Sequence, residues 1–305
     1  MKRLAIYVIA FLVLLLLVVT QTDVWKHFDY LVYEKLYLDR DRDLRPTDRL
    51  TIVDLPDPTL QNPDLRADER LKLFRQRQVD FLSRVARQAA DGARPDAVVL
   101  DFYFRNVTDE LENLKTAVRS MKETGVPVYA VFDTRNHERT TFEEREKEHA
   151  RDLYGEFEGV YLHTLLTNHG GVLTYLSDIE FRTEQGWPRP VEALPVRVAA
   201  DLGDKVERPA TIRGYVLPVG AASAFSDQTY VFRHAAGQGT SGQFEGTGGS
   251  SSATLPESAV DDRILLLGSL ETDRPVADGP AGPLLVAWAI DDQLNGNRNA
   301  KTPLD

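Results

Sequence analysis

The chain has 305 residues, with 36 Lys and Arg against 47 Asp and Glu, and a formal net charge of −11. That acidity excludes a general nucleic-acid binder, because phosphate contacts demand a cationic surface. An apolar share of 42% with 27% charged residues excludes a polytopic transporter, a collagen and a wholly disordered chain, and the lack of cysteine removes disulfides, thiolate-bound zinc, iron–sulfur clusters and thiol catalysis.

Lys2 and Arg3 precede an unbroken apolar run over residues 4–19. As a helix this run measures ~24 Å, slightly short of a ~30 Å hydrocarbon core, and Thr20 with the snorkelling cations extends it. A cleaved signal peptide would end in a small-x-small site. The run ends instead in Val18-Val19-Thr20-Gln21-Thr22-Asp23, so an uncleaved anchor is expected. The cationic end then stays in the cytoplasm and the remainder lies outside. Val24, Phe28, Leu31, Val32 and Leu36 form one helical stripe, predicting a stalk helix over 23–38. The expected organisation is a cytoplasmic tip and transmembrane anchor over 1–20, a juxtamembrane stalk over 21–46, and an extracytoplasmic domain over 47–305.

Within that domain, apolar runs predict strands over 50–54, 97–100 and 126–132. Amphipathic periodicity predicts helices over 69–90 and 108–124. Strands alternating with helices imply βαβ units and an α/β fold, with a mostly parallel or mixed sheet flanked by helices. Residues 138–152 are nearly all charged and read as an exposed helix or loop. Further strands are predicted over 160–163, 172–176, 211–217 and 230–233, an antiparallel extension. A helix is predicted over 192–202, a Gly- and Ser-rich flexible loop over 237–252, a buried strand over 263–267, and a helix over 282–294 with one apolar side.

Three strands of the first half end in aspartate: Asp54, Asp101 and Asp133. In a parallel sheet the carboxyl ends share one edge, where ligands bind. Carboxylates converging there suit a hard divalent cation, which makes these three weak metal candidates; Glu271 and Asp273 come after a later strand, toward the same edge. The alternative is that strand-end aspartates only cap helices or turns. Gly237-Gln238-Gly239-Thr240-Ser241-Gly242 matches a dinucleotide-binding pattern literally, but Gln243-Phe244-Glu245-Gly246-Thr247-Gly248-Gly249 directly after it will not start a helix. The six histidines have no metal-binding spacing, and no serine-hydrolase elbow occurs.

The layout over residues 4–296 resembles the second type of CHASE domain, the cyclase- and histidine-kinase-associated sensing extracellular domain of bacteria. The resemblance rests on Leu55-Pro56-Asp57-Pro58-Thr59-Leu60 after the first strand, Arg77 in the first helix, and Val98-Val99-Leu100-Asp101-Phe102-Tyr103-Phe104. It continues with Asp109, His169-Gly170-Gly171-Val172-Leu173-Thr174, Gly268 with Asp273 after strand 264–267, and Gly282-Pro283-Leu284-Leu285-Val286-Ala287-Trp288-Ala289. The chain departs from the family where Pro56 stands at its aspartate, and in its mid-domain Asp-Gly-Val-Val-Arg turn. The resemblance implies a single-pass protein of the bacterial inner membrane whose main domain is a periplasmic or extracellular input module for signal transduction.

The function expected is a sensory or ligand-binding domain without catalysis of its own, relaying or docking through a partner. The candidate ligand-binding residues are Asp54, Asp57, Asp101 and Asp273. No cofactor is expected. The partners expected are the membrane and a membrane protein or a second copy, met through the transmembrane and stalk helices, besides an unidentified small molecule. A structural periplasmic subunit is the alternative, and a metal-dependent hydrolase using Asp54, Asp101 and Asp133 a third.

Overall fold

Apolar residues on both sides of a strand mark a strand covered on both faces, and three segments of this chain carry that pattern: Leu50–Asp54 (β1), Ala97–Leu100 (β2) and Ile264–Gly268 (β12). The computed structural model of the protein describes residues 46–61, 63–105, 110–159, 161–164, 166–169, 172–202, 214–217, 222–234, 242–246, 249, 251–271 and 281–295. The remaining elements, in chain order, are helices α1 (Pro58–Gln61), α2 (Ala67–Ala90) and α3 (Glu110–Glu123), strand β3 (Val128–Ala130), and helices α4 (Phe142–Lys147) and α5 (Arg151–Tyr154). Strands β4 (Leu166–His169), β5 (Val172–Leu176), β6 (Asp178–Arg182) and β7 (Pro188–Glu192) come next. Helix α6 (Leu194–Asp201), strands β8 (Gly214–Val216), β9 (Thr229–His234), β10 (Gly242–Gly246) and β11 (Ser251–Ser252), then β12 and helix α7 (Gly282–Leu294) complete the set.

The main sheet has the order β11-β10-β9-β1-β12-β2-β3. Its five strands from β9 to β3 are parallel, and β10 and β11 add an antiparallel edge. Side chains alternate between two cores along each strand. Val53, Leu267, Leu100 and Ala130 face the helices α2 and α3. Ile52, Leu266, Val99 and Tyr129 face α6 and α7. The second set stands in one register across the sheet, Ile52 opposite Leu266, Leu266 opposite Val99, Val99 opposite Tyr129. Each such fully buried large side chain contributes about 1.5–3 kcal/mol through area removed from water. The α/β architecture with a mostly parallel sheet between helices is therefore present.

Several elements differ from expectation for local reasons. Helix α2 starts two residues early because Glu69 reaches back to the Arg66 amide at 3.3 Å. The charged stretch 138–152 is not a solvated face. Thr141 and Glu144 exchange backbone bonds as a capping box that opens α4, and Phe142, Arg145, His149, Leu153 and Tyr154 are buried. Within the expected flexible loop 237–252, residues 242–246 and 251–252 are sheet: β10 pairs with β9, and Phe244 packs on Phe232 with ring centroids 4.7 Å apart. Gly242 there is required by packing, since a Cβ would come within 2.7 Å of Phe232 Cε2. Helix α7 is buried on every side from Gly282 to Gln293, not along one stripe. Strands β4, β5 and β8 form a separate antiparallel sheet, and β6 and β7 a hairpin. No helix among the described residues is long and apolar enough to cross a membrane; the apolar run 4–19, the stalk over 23–38, Asp109 and Asp273 lie outside them.

Candidate carboxyl-edge cleft

Strand β12 lies between β1 and β2, so the segments leaving β1, β2, β3 and β12 at their carboxyl ends surround one opening. That edge is the usual ligand crevice of open α/β sheets. Here it is a cleft of about 740 Å³. Asp57 comes after β1, Asp101 to Tyr103 after β2, Thr134 and Arg135 after β3, and Ser269 after β12. Leu71 and Phe74 of α2, and Gly282 and Val286 of α7, complete the walls. The amino end of α7 is held at this edge by Gly268, where a Cβ would come within 2.6 Å of Pro283 Cβ. Phe74 and Phe102 meet edge to face, centroids 5.1 Å apart.

The aspartates have different fates. Asp57 and Asp101 line the cleft. Burial pushes the Asp57 carboxyl up, but bonds from the Thr59 amide (2.9 Å), the Thr59 hydroxyl (2.7 Å) and the Arg70 guanidinium outweigh it and leave the group below its ordinary value. Asp54 is buried away from the cleft lining and accepts the Leu270 amide at 2.8 Å, tying β1 to the loop after β12. Burial, more than that bond, sets its carboxyl above the usual range. Arg77 is also buried, and donates to the Pro56 carbonyl at 2.8 Å, which shapes the loop carrying Asp57.

Asp133 is fully buried and receives guanidiniums from three segments: Arg105 after β2, Arg135 after β3 and Arg145 of α4. Arg135 binds it with two parallel bonds, 3.0 and 2.9 Å, a geometry only a planar guanidinium supplies. Arg145 also meets Glu148 at 2.8 Å and the Arg135 carbonyl at 2.5 Å. Burial lowers the Arg105 guanidinium, and repulsion from Arg135 and Arg145 lowers it further. Next to Phe74 on α2, Arg75 lies buried over the Phe104 ring at 4.4 Å and donates to the Tyr103 carbonyl at 3.1 Å; burial brings it down to about 10.

Among the described residues no group of three or more His, Asp or Glu is arranged to hold a metal ion. Asp54, Asp101 and Asp133 are thus not brought together as a metal cluster; Asp133 is engaged by arginines instead. The arginines and the aromatic wall were missed from sequence. The available signal was the string Phe102-Tyr103-Phe104-Arg105 directly after a strand-end aspartate.

Fold and cleft together define the class: a three-layer α/β protein with a carboxyl-edge cleft of small-molecule size. Comparison with protein-family models, with curated proteins and with solved structures found no match to this chain.

Proposed function

We propose that the protein is a membrane-tethered extracytoplasmic sensory domain that binds a small molecule in the carboxyl-edge cleft and relays binding through its amino-terminal stalk to a partner. The cleft carries this reading: it sits at a topological switch of a parallel sheet, and four strands contribute to its walls. The likeness to the second type of CHASE domain and the apolar run 4–19 are what support a tether and an extracytoplasmic compartment in this reading. Helix α7 supports the relay, since its amino end lines the cleft and Asp291 near its carboxyl end grips Thr47, where the expected stalk meets the domain. A ligand shifts such a system only if it binds two states differently.

The test is thermal unfolding of the full chain in mild detergent against a panel of periplasmic metabolites. A saturable rise in Tm is expected from ligand linkage, lost on filling the cleft with Val286→Trp. A panel without any rise counts against the reading. A second reading, docking onto a membrane partner without a ligand, is favoured by Trp187, 69% exposed at the tip of the β6–β7 hairpin. It predicts co-purification with a membrane protein that Trp187→Ser abolishes.

A further inference from the structure

We propose that the cleft selects a small organic monocarboxylate with an apolar body, its carboxylate meeting Arg135 and its body lying against Phe74, Phe102 and Leu71. This rests on the reading of the cleft as a ligand site and names the ligand class. The two walls engage their arginines differently. On one wall Arg70 is matched by Asp57, which Thr59 also holds. On the other, three guanidiniums converge on Asp133, and the one further carboxylate they meet among the described ion pairs is Glu148. Of the three, Arg135 reaches the cleft, and its side chain is 59% exposed.

Asp133 takes one edge of the Arg135 guanidinium through Nε and Nη2, and Tyr103 lies 5.3 Å from its centre. A guanidinium so oriented still presents Nη1 donors on its other edge. Thr134 and Thr164 also line the cleft, and threonine hydroxyls suit the second oxygen of a carboxylate. The one guanidinium edge left at Arg135 matches a single carboxylate, and Asp101 in the same lining adds no attraction for a second negative charge. The aromatic and aliphatic wall rewards an apolar body by area removed from water.

The test is calorimetric titration and thermal unfolding of the full chain in mild detergent. Benzoate and hexanoate are compared with benzylamine, benzyl alcohol, inorganic phosphate and citrate. The expected result is saturable binding of the two monocarboxylates, weakened about tenfold or more in Arg135→Gln, the loss of one charge-assisted bond. Should Arg135→Gln fail to fold, Leu71→Glu keeps the question open to refutation. Leu71 is half-exposed on α2 and outside the Asp133 cluster, and a carboxylate there is expected to abolish benzoate binding with cooperative unfolding retained. Benzoate binding that survives in a folded Arg135→Gln or in Leu71→Glu overturns the proposal. So does tighter binding of citrate or phosphate. Benzylamine or benzyl alcohol binding as well as benzoate overturns the ligand class while leaving the cleft a binding site. Binding of nothing to the wild type overturns both.

Discussion

Thr47 donates twice to one oxygen of Asp291, from its amide at 2.8 Å and from its hydroxyl at 2.7 Å, across 244 residues of chain. The same carboxylate takes the Asn295 side chain at 3.1 Å. The first described residues of the domain are thus fastened to the end of its most buried helix. Hydrogen bonds to a charged acceptor contribute about 1.5–3 kcal/mol each where buried, and these are partly buried. Asp291→Ala is expected to cost about 2 kcal/mol in chemical denaturation. It should also speed amide exchange at Thr47 well before exchange in β1 rises. Unchanged protection at Thr47 would show that the clasp is not what holds this end.

Asp292, the next residue, is buried beside the Tyr175 hydroxyl (3.3 Å) and next to Asp291; burial pushes its carboxyl up to about 7. A raised folded-state value means that the folded chain holds the proton more tightly than the unfolded chain. Its stabilising contribution is complete below about 3.8, declines as pH rises, and is lost above about 7. Asp292→Asn is expected to match the wild type in acid and exceed it above neutrality by several kcal/mol, at roughly 1.4 kcal/mol per unit of displacement. A difference in Tm that stays constant from pH 5 to 8 would refute this.

His163 works in the opposite sense. Burial is the main cause that lowers its imidazole to about 3, with His137 adding to it. A depressed base stabilises the fold while neutral, so stability falls as pH drops from about 6.5 through 3. His163→Gln is expected to flatten that acid limb, read by the midpoint of acid unfolding. An unchanged midpoint would place the acid sensitivity elsewhere.

Removing the carboxylate from the Asp133 cluster leaves three guanidiniums facing one another. Asp133→Asn is expected to destabilise by about 1–3 kcal/mol in chemical denaturation, since Arg145 alone of the three is left buried while Arg105 and Arg135 keep access to water. Gly268→Ala tests packing instead. Its methyl would overlap Pro283, and overpacking of this kind costs about 1–3 kcal/mol. It should also displace the amino end of α7 and so weaken any ligand of the cleft, measured by titration. A Gly268→Ala protein of wild-type Tm would mean that α7 yields without cost.

Much of the sheet was legible because burial on both faces leaves a continuous apolar run. The bounds of β1 and β2 match their runs directly, and the periodicity of α2 and α3 locates both helices within a residue or two. Local pattern failed where charge was structural. Arg145 and His149 lie in a stretch that reads as surface, yet Asp133 draws the arginine inward and His149 accepts the Asp133 amide at 3.4 Å. Composition failed at 242–246, where one phenylalanine and a close-packed glycine complete a sheet edge.

The amino-acid order alone determined the central strands β1, β2 and β12 and the helices α2 and α3, and that the chain is acidic, because each of these is set within a few residues; the expectation that three strands end in aspartate fails at β3, which ends at Ala130, three residues before Asp133. The tertiary structure decided that β12 enters between β1 and β2, that Asp57 and Asp101 share a cleft while Asp54 and Asp133 do not line it, and that three arginines close on one carboxylate. Those outcomes depend on partners far away in the chain, such as Asp54 and Leu270, 216 residues apart. Hydrophobic periodicity reports only which side of an element avoids water, and carries no information about which element will cover it.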